Sequence, residues 1–88
     1  MTQAYSFGRT LQRLGQQNAA LEIFRNDIKK NPSRWIAHAE GARVAVGKGD
    51  YDGAAKEMRL AGDAAQPALK EVFIDLVRQL EHRVDINR

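Results

Sequence analysis

Self-similarity at an offset of 34 constrains this chain more than any other feature. That shift lays Gly15 on Gly49, Ala20 on Ala54, Phe24 on Met58, Gly8 on Ala42 and Tyr5 on Ala39, and Pro32 falls one place short of Pro67. Small residues at positions 8 and 20 of such a unit let two helices approach to about 8 Å, and a large residue at position 24 fills the space beside them. A repeat of this length folds by stacking helical hairpins, each burying its face against the next.

The apolar spacing inside each unit is helical throughout. Ala4, Phe7, Gly8, Leu11 and Leu14 make a first stripe, stopped at Gly15; Ala20, Leu21, Phe24 and Ile28 make a second. Asn31-Pro32 ends the second helix, because proline disfavours helical geometry in the residue before it. Ser33 is expected to cap a third helix over Trp35, Ala39, Ala42, Ala45 and Val46, broken by Gly47-Lys48-Gly49. Asp50 is expected to cap a fourth over Tyr51, Ala54, Ala55, Met58 and Ala61. After Gln66-Pro67 a last helix is expected from Ala68 to Val84, with Leu69, Val72, Phe73, Leu76, Val77, Leu80 and Val84 on one side and Ile74 as a partly exposed misfit. The expectation is an all-α chain of five helices with no strand, in which short connections make neighbouring helices antiparallel.

Eighty-eight residues allow one domain and one modest core. With no cysteine, disulfides, thiolate metal sites and a cysteine nucleophile are excluded. No apolar run approaches a membrane span, and Met1-Thr2-Gln3-Ala4 has no signal-peptide character, which leaves the location open: cytoplasmic by default, exported if the chain is cut from a longer secreted parent. The net charge of +3 is uneven. From Met1 to Arg34, the basic groups Arg9, Arg13, Arg25, Lys29, Lys30 and Arg34 face only Glu22 and Asp27, and the remainder is nearly balanced.

The residues Gly8, Gly15, Ala20, Phe24 and Pro32, followed by Ala42, Gly49, Tyr51, Ala54, Met58 and Ala61, resemble the tetratricopeptide repeat, and the run Gly49-Asp50-Tyr51-Asp52-Gly53-Ala54 is characteristic of it. The chain departs from that pattern at Gln17, where the family favours Tyr, at Asp27, where it favours Ala, and at Gln66, where it favours Pro. The resemblance implies a right-handed superhelical stack of antiparallel helix pairs. Repeat 1 would cover 1–34, repeat 2 would cover 35–68, and a capping helix 69–86. Gly8, Ala20, Phe24, Pro32, Ala42, Ala54, Met58 and Ala61 would be the packing residues. The order Pro32…Trp35 and the segment Asp85-Ile86-Asn87 also resemble the helical tail of a bacterial protein family, which would make this chain part of a longer one.

Material for catalysis is thin. His38 lies among Trp35, Ala39 and Ala42 without a convergent base or ligand and is expected to pack or hydrogen-bond. His82, beside Glu81 and Asp85, makes a poor metal site and is expected on a solvated face. Gly41 to Lys48 has one residue too many for a phosphate loop and Gly49 where Ser or Thr must follow; Asp50-x-Asp52-Gly53 lacks calcium-loop spacing. Neither an enzyme nor a cofactor is expected.

The resemblance instead implies a groove lined by the first helix of each repeat. Residue by residue this gives Thr2, Tyr5, Arg9, Gln12 and Arg13, then Ile36, Ala39, Arg43, Val46 and Gly47, and in the cap Lys70, Phe73 and Val77. A clamp for a C-terminal carboxylate is missing, since Tyr5 and Arg9 stand where its Lys and Asn would. Arg9, Arg13 and Arg43 favour acidic segments, because guanidinium forks bind carboxylates bidentately. The expectation is a protein or peptide partner held in this groove by a monomer or a segment of a longer chain. The alternative is RNA binding through the basic first third.

Overall fold

The computed structural model describes residues 3–88. Among these, five α-helices follow one another: α1 Gln3–Arg13, α2 Gln17–Lys30, α3 Trp35–Gly47, α4 Tyr51–Ala64 and α5 Lys70–Glu81, the last preceded by a 3-10 turn at Pro67–Leu69. No described residue is in a strand. Each helix packs chiefly on its neighbours in sequence: α1 on α2, α2 on α3, α3 on α4, and α4 on α5.

Positions related by the offset of 34 occupy matching environments. Ala20 and Ala54 are both fully buried, as are Phe24 and Met58, and Gly8 and Ala42 are buried too. A Cβ at Gly8 would run into the Phe24 ring, so α1 meets α2 along its smallest side chain. That contact sets the rotation of α1. Gly8 and Gln12 are buried, whereas Phe7 and Leu14, placed in the apolar stripe by their spacing, turn outward and are exposed. The core is divided. A small cluster of Ala20, Leu21 and Phe24 receives Tyr5, Leu11 and Val44 at its edge. A larger one gathers Ala39, Ala42, Val46, Ala54, Met58, Ala61, Phe73 and Leu80.

The helix ends repeat one device. After α1, the Gly15 N–H donates to Gln12 O (3.0 Å) and the Gln16 N–H to Leu11 O (2.8 Å). After α3, the Gly49 N–H donates to Val46 O (2.9 Å) and the Asp50 N–H to Ala45 O (2.9 Å). Both glycines have left-handed backbones, φ 81° and 78°, as this closure requires. Asp50 then caps α4, its Oδ1 accepting from the Gly53 N–H at 2.9 Å, which contributes about 1 kcal/mol. Ser33 does not act as a cap: Arg34 occupies the N-cap of α3 in extended geometry, and its side chain makes no capping hydrogen bond.

The last helix is shorter than its periodicity implies. It ends at Glu81, not Val84, by the same pair of bonds, Arg83 N–H to Leu80 O and Val84 N–H to Gln79 O, both 2.9 Å. Here the left-handed position is Arg83, at φ 58°, the one non-glycine described residue with positive φ. Nothing in the local sequence demands this stop. Val72, Ile74 and Val84 remain exposed, and Phe73 and Leu80 are the residues of α5 that reach the interior.

Candidate functional site

The turn at Arg83 brings the last residues back onto α1, α3 and the start of α2. Ile86 is buried in the larger core cluster with Ala39, Ala42 and Val46, and Asn87 is also buried. The Arg43 Nη1 donates to Ile86 O at 2.6 Å, and its Nε donates to the Tyr5 hydroxyl at 2.9 Å. The Arg43 guanidinium also lies 5.5 Å from the centre of the Tyr5 ring, within cation–π range. Arg9 Nη1 reaches the same Ile86 carbonyl at 3.5 Å and donates to Gln12 Oε1. Gln12 Nε2 donates to Gln17 Oε1 at 3.1 Å, and Gln17 Nε2 donates to Asn87 O at 2.7 Å. The Asn87 Nδ2 closes the circuit on Arg43 O at 2.9 Å. Asp85 shapes the segment, its Oδ1 accepting from the Asn87 N–H at 2.9 Å.

Two backbone carbonyls, one buried apolar side chain and one side-chain amide are thus read by α1, α2 and α3 together. The electrostatics are lopsided. Burial, and after it the nearby Arg43 guanidinium, lowers Arg9 from its ordinary pKa. Among the described residues neither Arg9 nor Arg43 forms an ion pair with a carboxylate; both donate to a neutral carbonyl. Beside the segment lies a hollow of about 260 Å³, lined by Gln17, Asn18, Leu21, Gly47 and the segment itself.

Of the residues assigned to a groove by the sequence, Tyr5, Arg9, Gln12, Ala39, Arg43 and Val46 are gathered here. Thr2 lies outside the described residues. Arg13 is exposed, donating to Thr10 Oγ1 at 3.3 Å on α1 itself. Ile36 is buried and Gly47 closes on Leu21, where a Cβ would stand 2.6 Å from Leu21 Cδ1. Phe73 is elsewhere. It packs edge-on against Trp35 (centroids 5.7 Å, 86°) and, with Lys70 and Val77, lines a separate cleft of about 360 Å³ between α4 and α5.

Sequence reasoning missed Gln17, Ile86 and Asn87 as site residues. Gln17 is visible in the sequence only as a departure from the repeat pattern, and it is the side chain that holds Asn87. A second departure, Asp27, lies beside a group the sequence pattern does not single out. Glu40, on α3, is fully buried, and neither of its carboxyl oxygens has a hydrogen-bond partner. Burial first, and the adjacent Asp27 carboxyl second, push Glu40 up to about 8, against the opposing pull of Arg34. His38 Nδ1 meets Glu57 Oε2 at 2.8 Å across α3 and α4, a half-buried contact between helices.

Among the described residues no three His, Asp or Glu side chains come together as a metal site, and no helix is long and apolar enough to cross a membrane. No protein-family model, no curated protein sequence and no solved structure matches this chain.

Proposed function

We propose that this chain is a non-enzymatic protein-interaction module of the tetratricopeptide type, a right-handed stack of two helix pairs and a cap that receives an extended segment on α1 and α3. The fold reading is supported by packing between sequence neighbours and by matched burial at the repeat offset. The functional reading rests on one observation: the guanidiniums of Arg9 and Arg43 converge on a single backbone carbonyl of a segment lying in this groove. An acceptor bearing full negative charge at that point would gain charge-assisted hydrogen bonds from both, so acidic segments are the favoured partners.

A library of displayed linear peptides selected against the full chain tests the reading. Selected peptides should lose at least tenfold in affinity on Arg9→Glu, with the fold intact by circular dichroism, because a half-buried donor becomes a repelling acceptor. Arg43 is unsuitable for this test, since it is buried and holds the fold together. Selected peptides indifferent to Arg9→Glu contradict the groove.

A further inference from the structure

The segment that fills the groove is the chain's own, and three features say it is held in balance rather than locked. First, α5 has no local reason to stop where it does: residues 82–84 contain neither glycine nor proline, and their spacing continues the helix. Second, the stop places Arg83 at φ 58°, where α1 and α3 use glycine. Left-handed geometry is strained for any residue with a side chain. Third, Asn87 Oδ1 is buried with no hydrogen-bond partner. Against these stand the burial of Ile86 and the bonds from Arg43, Arg9 and Gln17.

We infer that residues 85–88 are an intramolecular ligand that occupies the groove until a partner segment of the same pattern, Asp followed by an apolar residue and Asn, displaces them, whereupon α5 extends through Val84. The inference rests on the groove reading above and adds what the groove selects and how it is regulated. Each element of the pattern has a stated role. The Asp side chain accepts the Asn N–H and pre-bends the segment. The apolar side chain joins Ala39, Ala42 and Val46 in the core cluster. The Asn amide donates to Arg43 O, while the Asn carbonyl accepts from Gln17. A tethered ligand competes at an effective concentration in the millimolar range, so a partner in trans binds weakly until the tether is loosened.

The test uses a fluorescein-labelled peptide of the sequence of residues 82–88 as probe, titrated against three full-length proteins: wild type, Ile86→Ser and Arg83→Gly. Ile86→Ser removes the apolar anchor of the tether, and the probe should bind it at least tenfold more tightly than wild type, with a gain of helix by circular dichroism. Arg83→Gly relieves the left-handed strain and holds the tether in place; the probe should bind about fivefold or more weakly. Loss of the Arg83–Asp52 contact does not confound this, because that pair is 3.7 Å apart and solvent-exposed. A probe with Asn87→Ala should fail to bind any of the three. If Ile86→Ser does not fold, Arg83→Gly decides alone, and an unchanged affinity overturns the proposal. If library-selected peptides need Arg9 yet are unaffected by Ile86→Ser and Arg83→Gly, the groove stands and the tether falls. If neither those peptides nor the probe binds, both fall.

Discussion

Phe24→Ala should cost about 3–5 kcal/mol, the largest loss available from a single truncation here. The ring is fully buried and lies across Gly8, with the Tyr5 ring 5.8 Å away. It is also the only large side chain wholly enclosed in the smaller cluster. A chain of this size has a total stability on the order of 5–10 kcal/mol, so about a third or more is at stake. Because helices in this arrangement lean mainly on their neighbours, the loss should be local first. Hydrogen exchange should show α1 and α2 losing protection while α4 and α5 keep theirs. A second substitution sharpens the test. A side chain at residue 8 would project into the space the ring vacates, so Gly8→Leu, disruptive alone, should restore about 1–2 kcal/mol in the Phe24→Ala background. Urea titrations of the four proteins measure this coupling, and strict additivity would mean that Gly8 and Phe24 do not share the interface.

The chain should also lose stability as pH rises through neutrality, on the order of 2–4 kcal/mol between about pH 5 and pH 8. The origin is Glu40, whose carboxyl is pushed from 4.5 to about 8 by burial and then by Asp27. A carboxyl with a raised folded-state value binds its proton more tightly folded than unfolded. Its contribution is therefore full below about pH 4.5, declines through the window up to about 8, and is constant above it. The whole shift would correspond to about 5 kcal/mol, which relaxation around the charged form reduces. Glu40→Gln keeps the shape without the ionisable proton and should abolish this slope. The difference between wild type and Glu40→Gln separates this carboxyl from every other pH-dependent contribution in the chain. Equal slopes in the two proteins would remove Glu40 as the cause.

The helices that end in glycine or proline were legible in the sequence, because those residues act on the backbone locally. Gly15 and Gly49 both end their helices as expected, each in the left-handed conformation, and Asp50 caps α4. Ser33 misled because an N-cap depends on backbone geometry one residue either way, and Arg34 took the position. The end of α5 was not legible at all. Its stop comes from contacts between residues 86–87 and residues 9, 17 and 43, far away in sequence, and no local residue announces them. The site was half legible. Repeat register found Tyr5, Arg9, Gln12 and Arg43, but register cannot reveal that a distant segment fills the space between them. The two departures at Gln17 and Asp27 carried the missing information, since one now binds Asn87 and the other unsettles Glu40.

Occupancy of the groove by an exchangeable segment is the central claim, and one label reads it directly. The chain contains no cysteine, so Arg88→Cys accepts a single nitroxide at an exposed position. In the free protein the label should broaden the amide resonances of Arg9, Gln17 and Arg43. Excess unlabelled peptide of residues 82–88 should restore them as the tethered segment leaves. Amides that never feel the label, or broadening that survives saturating peptide unchanged, would contradict the account.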